Sequence, residues 1–279
     1  MTELPRIPLA GVIGHPIAHS RSPQLHGHWL ARYGIKGHYV PMDVAPDDLP
    51  QALAMLPKLG FVGVNVTIPH KEAALKLAHV VTDRAALIGA ANTLIFLKDG
   101  KIYADNTDGV GFMSNLHQLA PKWQATQGPA ALFGAGGAAR AIIAALIEAG
   151  IPEIRTANRT RLRAEVLQAD FGARVVVYDW LRAGDMLQGA ALVINATSLG
   201  MTGKPDLRLP LDQLEVGAVA TDLVYTPLMT PFLIEAQSRG AHIVDGLGML
   251  LHQGAPGFDR WFGQSPQVDD ATRAAVLGL

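Results

Sequence analysis

A chain of 279 residues with a formal charge of −1 has room for two modest domains and no global field that would draw in nucleic acid or an anionic membrane surface. With 49% apolar and 17% charged residues it can fill packed cores, which excludes a chain that must stay disordered. The absence of cysteine removes disulfides, thiolate metal sites and thiol nucleophiles, and fits a reducing compartment, the cytoplasm.

At the amino terminus, Met1 to Pro8 carries two prolines and Glu3 where a signal peptide would have a basic segment and a long apolar run, so none is expected. The most apolar stretch elsewhere, Ala138 to Ala149, contains Arg140 and Glu148 and falls short of the ~20 residues a bilayer span needs. No membrane role is expected.

Valine- and isoleucine-rich runs alternate with segments of helical apolar spacing, and glycine or proline marks the junctions, a rhythm that predicts α/β architecture. The predicted strands are Pro8 to Ile13, His38 to Asp43, Phe61 to Thr67, Thr93 to Leu97, Ala130 to Phe133, Glu153 to Ala157, Arg174 to Val177, Leu192 to Asn195 and Ala218 to Leu223, with helices between most of them. Polar motifs crowd the chain up to Asp108 and glycine-rich ones begin at Gly134, which predicts a domain boundary near Asp108. Gln118 to Pro129, with two prolines, a glycine and several polar residues, is expected to be a surface connection.

Four polar clusters occupy the first part: Gly14 to Pro23, Asn65 to Lys71, Ala91 to Thr93 and Asp105 to Gly109. In the first, Ser22 followed by Pro23 is a strong helix start, with serine as cap and proline at the first helical position, whereas Ser20 has no such local role. Alternation along Phe61 to Thr67 puts Gly63, Asn65 and Thr67 on one face and presents Thr67 at the strand end beside Lys71. Lys71 opens a predicted helix, the electrostatically wrong end for a cation, and Asp108 is well placed to cap the helix after it. His15, His19, His26 and His70 match no common metal-ligand spacing and are expected in loops or on the surface; no metal site is expected.

In the second part, a strand ending at Phe133 runs into Gly134, Ala135, Gly136, Gly137, Ala138 and Ala139 and then an apolar-faced helix, the setting in which a G-x-G-x-x-A pattern binds a dinucleotide. Gly134 permits the tight turn, Gly136 lets backbone approach a pyrophosphate, and Ala139 allows close helix packing. The phosphates would rest on unpaired amides at the positive end of the helix dipole. Alone, such a loop could be an ordinary turn. The next strand ends at Asn158, Arg159 and Thr160, with Arg163 one turn on, where an NAD-binding domain would place an acid on the ribose 2′-hydroxyl. Two cations in place of an acid suit a 2′-phosphate, so NADP(H) is the expected cofactor. Further on, Thr197 and Ser198 follow a strand in a polar turn, where nucleotide folds line the nicotinamide crevice.

Taken in order, and with Asp222 to Thr230 and Gly246 to Gln253 added, these clusters resemble the shikimate dehydrogenase family over nearly the whole chain. The resemblance implies an N-terminal α/β substrate-binding domain, residues 1–107 completed by C-terminal helices from Asp245 (245–279), and a Rossmann-like NADP-binding domain, residues 108–244, flanking a cleft. It implies Lys71 and Asp108 as the catalytic pair, with Ser20, Ser22, Thr67, Lys71, Asn92, Asp108, Tyr225 and Gln253 on the substrate. Leu223 and Gly246 join the residues from Gly134 to Ala138, Asn158 to Thr160, Arg163, Thr197 and Ser198 as cofactor contacts. Hydride reduction of a ketone needs a proton at the oxygen, which a lysine ammonium can supply while a carboxylate fixes its orientation.

The activity so implied is reversible NADPH-dependent reduction of 3-dehydroshikimate to shikimate, a step toward chorismate and the aromatic amino acids, by a monomer or homodimer. The alternatives are a quinate/shikimate dehydrogenase with relaxed NAD/NADP use and a non-catalytic NADP-sensing module. Met249 and Gln253, four apart on one helical face, would let their helix close the pocket. Two departures from the family pattern stand out: Gly27 in place of an asparagine, and Gly254, Pro256 and Gly257, which are expected to interrupt a helix otherwise continuous.

Overall fold

The computed structural model describes residues 7–279, so the expectation about a signal peptide concerns a segment that, but for its last two residues, lies outside the described residues. The chain divides into two compact units, one of the described residues up to Thr107 together with Leu250–Leu279, the other Asp108–Met249. In chain order the elements of the first part are β1 (Leu9–Gly14), α1 (Ser22–Arg32), β2 (His38–Asp43), α2 (Leu49–Met55), β3 (Phe61–Val66), α3 (Lys71–Lys76), β4 (Val80–Val81), α4 (Asp83–Ile88), β5 (Thr93–Phe96) and β6 (Ile102–Asp105). Then come α5 (Asp108–Leu119), β7 (Ala130–Phe133), α6 (Gly137–Glu148), β8 (Ile154–Ala157), α7 (Arg161–Phe171), β9 (Val175–Val177), β10 (Leu192–Asn195), β11 (Val219–Asp222), α8 (Pro231–Ser238) and β12 (His242–Val244). The chain closes with α9 (Leu247–Phe262) and α10 (Asp270–Leu277).

The first unit is built on a mixed sheet in the order β2-β1-β3-β5-β6-β4, in which β1 runs parallel to β2 and β3 while β5 is antiparallel to β3 and β6. Alternation in β3 decides what each face holds. Val64 and Val66 enter a core with Ile13, Leu49, Leu53 and Leu94, and Gly63 and Asn65 face the other way. A Cβ at Gly63 would collide with the indole of Trp261, whose Nε1 donates to the Leu94 carbonyl at 3.1 Å. The glycine is what lets α9 lie against the sheet.

The expected interruption of that helix is overturned: α9 runs unbroken through Gly254, Pro256 and Gly257. A Cβ at Gly254 would sit 3.0 Å from Leu25 and 3.3 Å from His26, and one at Gly257 would sit 2.8 Å from the ring of Trp261. Close packing on α1 and on its own indole, which only small residues permit, outweighs the low helix propensity. Arg32 of α1 grips Asp269 at 2.8 Å, and the same carboxylate caps α10 by accepting from Thr272 N at 3.0 Å. The guanidinium holds that carboxyl well below the usual carboxylate range.

The second unit carries an all-parallel sheet in the order β12-β11-β10-β7-β8-β9, a doubly wound, Rossmann-like arrangement whose order reverses at β7. Its central strands β7 and β10 are buried on both faces and, up to Asn195 at the end of β10, read as apolar runs, as parallel strands do. One core joins Leu132, Ile142, Leu146 and Phe112; the other joins Phe133, Val193, Met186 and Leu233. Gln118 to Pro129 is not merely a surface connection, since Ala120, Trp123 and Ala125 are buried in the first of these cores. The chain leaves the second unit after Met249, not before Asp245, because Val244 and Met249 pack into the same core. Met249 is buried in that core.

Candidate active site

In the first unit, loops at the carboxyl ends of β1 and β3 meet. Thr67 follows β3, its amide donates to Ile13 O at 2.9 Å, and a Cβ at Gly14 would lie 2.6 Å from its methyl group, so the turn after β1 presses on the turn after β3. Lys71 begins α3, and its carbonyl accepts from Ala91 N at 2.9 Å, which brings it beside Asn92. The buried Asn92 amide donates to Gln253 Oε1 at 2.8 Å and to Thr107 Oγ1 at 3.0 Å, and Thr107 Oγ1 in turn donates to the Gln253 carbonyl at 2.8 Å. Lys71, Asn92 and Gln253 are thus gathered by backbone and side-chain hydrogen bonds from residues far apart in sequence.

Ser22 is not a helix cap. The cap position is Arg21, α1 begins at Ser22 itself, and no side chain caps it. Instead Ser22 N donates to Ser20 Oγ at 3.3 Å, and the Ser22 hydroxyl hydrogen-bonds to Tyr39. Burial pushes the Tyr39 phenol well above its ordinary range, so it stays a neutral donor and gives its proton to Asn65 Oδ1 at 2.7 Å. Asn65 Nδ2 then donates to the Asn92 carbonyl and to Thr93 Oγ1, both at 3.2 Å. Tyr39 and Asn65, neither singled out for a role in the sequence, link Ser22 to Asn92. The alternation along β3 was the available signal, because a buried asparagine on a sheet face must find partners.

Two of the four histidines expected in loops or on the surface are buried. His26 is fully enclosed in α1, with neither ring nitrogen hydrogen-bonded, and His70 is 1% exposed with Nε2 2.8 Å from Val44 O. His15 is exposed and 2.6 Å from Asp43 Oδ1. Among the described residues, no group of three or more His, Cys, Asp or Glu is gathered that could hold a metal ion, and no helix is long and apolar enough to cross a membrane.

In the second unit, Gly134 sits at φ +113°, and a Cβ there would lie 2.9 Å from Ala196 O and 3.0 Å from the Thr197 methyl, so the glycine turn is pressed against the turn after β10. Gly136 caps α6 with no side-chain bond, and nothing lies within 4 Å of where its Cβ would be. Unsatisfied amides facing open space at the start of a long helix fit a pyrophosphate, flanked by Ala135, Gly137 and Ala138. At the end of β8, Asn158 Nδ2 donates to Thr160 O at 2.9 Å, shaping the turn that presents Arg159. Arg161 is engaged by Glu165 at 2.8 Å, while the exposed Arg159 and Arg163 make no ion pair among the described residues. These residues fit NADP(H).

Asn195, at the end of β10, organises the next turn. Its Oδ1 accepts from Thr197 Oγ1 at 2.7 Å and from Thr197 N at 3.0 Å, leading the chain on to Ser198. Its Nδ2 donates at 3.0 Å to Asp222 Oδ1, which also accepts from Val224 N at 2.8 Å, while Asp222 Oδ2 accepts from Thr230 Oγ1 at 2.7 Å. Burial, opposed by these three bonds, pushes the Asp222 carboxyl up to about 6. The loop they pin carries Tyr225, which is half-buried. Gly246 lets backbone pass close to Leu223, whose carbonyl would be 2.7 Å from a Cβ there. Asp108, 3% exposed, is the first residue of α5.

Three family models match: Shikimate dehydrogenase substrate binding domain over residues 12–94, Shikimate / quinate 5-dehydrogenase over 118–201 and Shikimate 5'-dehydrogenase C-terminal domain over 246–277. A protein of Cereibacter sphaeroides named Shikimate dehydrogenase (NADP(+)) is 69% identical over 99% of both chains. The chain belongs to the shikimate dehydrogenase family. A protein of the same name from Paracoccus denitrificans is 68% identical over 97% of this chain and 96% of its own. Among solved structures, shikimate 5-dehydrogenase of Thermus thermophilus, in complex with NADP(H) and shikimate, matches with TM-score 0.87 and 39% identity over 98% of this chain and 100% of that one. Quinate dehydrogenase of Corynebacterium glutamicum, in complex with NAD, matches with TM-score 0.90 but 30% identity, over 98% and 99%. The family thus spans both substrates and both cofactors, and the choice between them falls to this chain's own residues.

Proposed function

We propose that this chain is an NADP-dependent shikimate dehydrogenase that reversibly reduces 3-dehydroshikimate to shikimate, in the biosynthesis of chorismate and the aromatic amino acids. The observation that carries the choice of cofactor is local: the glycine turn at Gly134 is followed, at the end of β8, by Arg159 and no acid. The near full-length identity to relatives named for NADP and shikimate supports the same reading.

In this proposal Lys71 Nζ donates a proton to the ketone oxygen as hydride reaches the carbon, and in the oxidative direction the neutral amine takes the proton back. Asp108 orients that amine and accepts from a substrate hydroxyl. NADPH, when bound, supplies the hydride. Ser20, Ser22 and Tyr225 hold the substrate carboxylate through hydroxyl donors, and Thr67, Asn92 and Gln253 read its ring hydroxyls. Gly134 to Ala138 seat the pyrophosphate, Asn158, Arg159, Thr160 and Arg163 the 2′-phosphate, and Thr197, Ser198, Leu223 and Gly246 border the nicotinamide. The enzyme works in the cytoplasm as a monomer or homodimer, as the cysteine-free composition suits.

Initial rates for shikimate and quinate, each with NADP and NAD, test the whole reading. Shikimate with NADP should give by far the highest kcat/KM; equal rates for quinate or NAD would move the assignment to the relaxed enzyme, and no turnover with any pair would leave a sensing module.

A further inference from the structure

Beyond Arg159, a hollow of about 450 Å³ opens in the second unit. Its walls are Arg159 after β8, Trp180 after β9, and Leu199, Lys204, Asp206 and Arg208 in the long connection after β10. Each of these residues belongs to a connection that follows the carboxyl end of a parallel strand, Trp180 opening a short 3-10 helix there, and this is the edge at which doubly wound sheets bind ligands. The volume is that of a small-molecule site.

Its charge is lopsided. Arg159, Lys204 and Arg208 bring three cations against the single carboxylate of Asp206, and none of the three cations forms an ion pair among the described residues. Several other arginines of the same unit are engaged: Arg140 by Asp170, Arg155 by Glu153, Arg182 by Asp185 and Arg239 by Asp212. Cations left together around a concavity repel one another and are held at lower cost when an anion lies between them. Trp180 adds a flat apolar wall: its ring meets Phe133 edge-on, with centroids 6.3 Å apart and planes at 89°, which fixes the indole.

We propose that this hollow takes the purine nucleoside 2′-phosphate end of the cofactor, with Lys204 and Arg208 closing on the phosphate from the side opposite Arg159 and with Trp180 and Leu199 against the base. Lys204 and Arg208 are then specificity-determining residues, contributed by a loop that the dinucleotide fingerprint does not include. The inference rests on the reading of Arg159 as a 2′-phosphate contact and extends it.

The test is titration calorimetry with 2′,5′-ADP and, as control, 5′-ADP, on the intact protein and on K204A/R208A and R159A, with circular dichroism to show each variant folded. K204A/R208A should bind 2′,5′-ADP roughly 10- to 50-fold more weakly, with 5′-ADP changed less than roughly 3-fold and a shallower salt dependence. If R159A loses the preference for the 2′-phosphate and K204A/R208A keeps it within roughly twofold, the assignment of Lys204 and Arg208 falls and that of Arg159 stands. If both variants keep it, the 2′-phosphate site itself is misplaced. Should K204A/R208A fail to fold, R208Q alone carries the same comparison.

Discussion

The ring of His26 lies flat on that of Tyr39, with centroids 3.9 Å apart and planes inclined by 2°. Trp29 meets the same imidazole edge-on at 5.4 Å, and Phe258 and Trp261 complete the box around it, so the histidine is an aromatic packing element without a hydrogen bond. Burial lowers its titration from 6.5 to about 3. Since the unfolded chain protonates first, the stability this residue contributes is complete above 6.5 and is lost as pH falls toward 3, at about 1.4 kcal/mol per pH unit. His26→Gln, which cannot titrate, should lose less stability than the parent on acidification from about pH 7 to about pH 5, read by urea denaturation. Parallel losses would show that His26 is already charged in the native state.

Asp222 carries the opposite slope. Its folded carboxyl titrates at about 6 against 3.8 unfolded, so its contribution is largest below 3.8 and is lost as pH rises through 6. Asp222→Asn should flatten stability over that interval. It should also slacken the Tyr225 loop, because an amide at this position cannot accept from Thr230 Oγ1 and Asn195 Nδ2 together. Crystal B-factors of residues 223–230 and the KM for shikimate, expected to rise several-fold, report the second effect.

Tyr39→Phe deletes one oxygen and leaves Asn65 Oδ1 and the Ser22 hydroxyl short of a partner in a buried setting. The expected cost is about 1–3 kcal/mol in thermal or denaturant unfolding. The KM for shikimate should rise more than kcat falls, as Ser22 loses its orientation. An unchanged stability would mean that water fills the gap.

Gly63→Ala has no room. Its methyl group would strike Trp261 Nε1 and the Leu94 carbonyl that this nitrogen bonds, so α9 must move off the sheet. Destabilisation of about 2–4 kcal/mol is expected, whereas Gly27→Ala, which meets nothing within 4 Å, should be neutral or slightly stabilising in its helix. Differential scanning calorimetry of the two variants checks the contrast.

Lys71→Ala should reduce kcat by at least ~100-fold with NADPH affinity nearly unchanged, the signature of a lost proton donor. Full kcat in this variant, measured by NADPH absorbance, would remove Lys71 from the chemistry.

The apolar runs that form β7 and most of β10 could be read from sequence residue for residue, because strands buried on both faces leave little ambiguity of pattern. Half-buried strands could not. β6 alternates buried and partly exposed residues and ends on Asp105, and the turn before it was signalled only by Asp99-Gly100, where Lys101 N donates to Asp99 Oδ1 at 3.1 Å and Leu97 N closes on Lys101 O at 2.8 Å. β12 is three residues at a sheet edge, too brief to show a period. The glycines of α9 read as breakers because propensity is local, while the tight approach of Leu25, His26 and Trp261 that demands them is tertiary. For the site, motif residues such as Gly134 and Arg159 stood out, whereas Tyr39 and Asn65 matter through partners 26 residues apart, which spacing alone does not pair.

The aromatic box has a consequence for synthesis. Trp261 and Phe258 come from the last stretch of the chain, yet they cover the sheet face on which Gly63 and Asn65 lie. As the polypeptide leaves the ribosome, the strands of the first unit are expected to wait with that face bare until the residues after Met249, which complete the unit, have emerged. Nascent chains stalled before residue 258 should accordingly present that face to chaperones, and the released 279-residue chain should not.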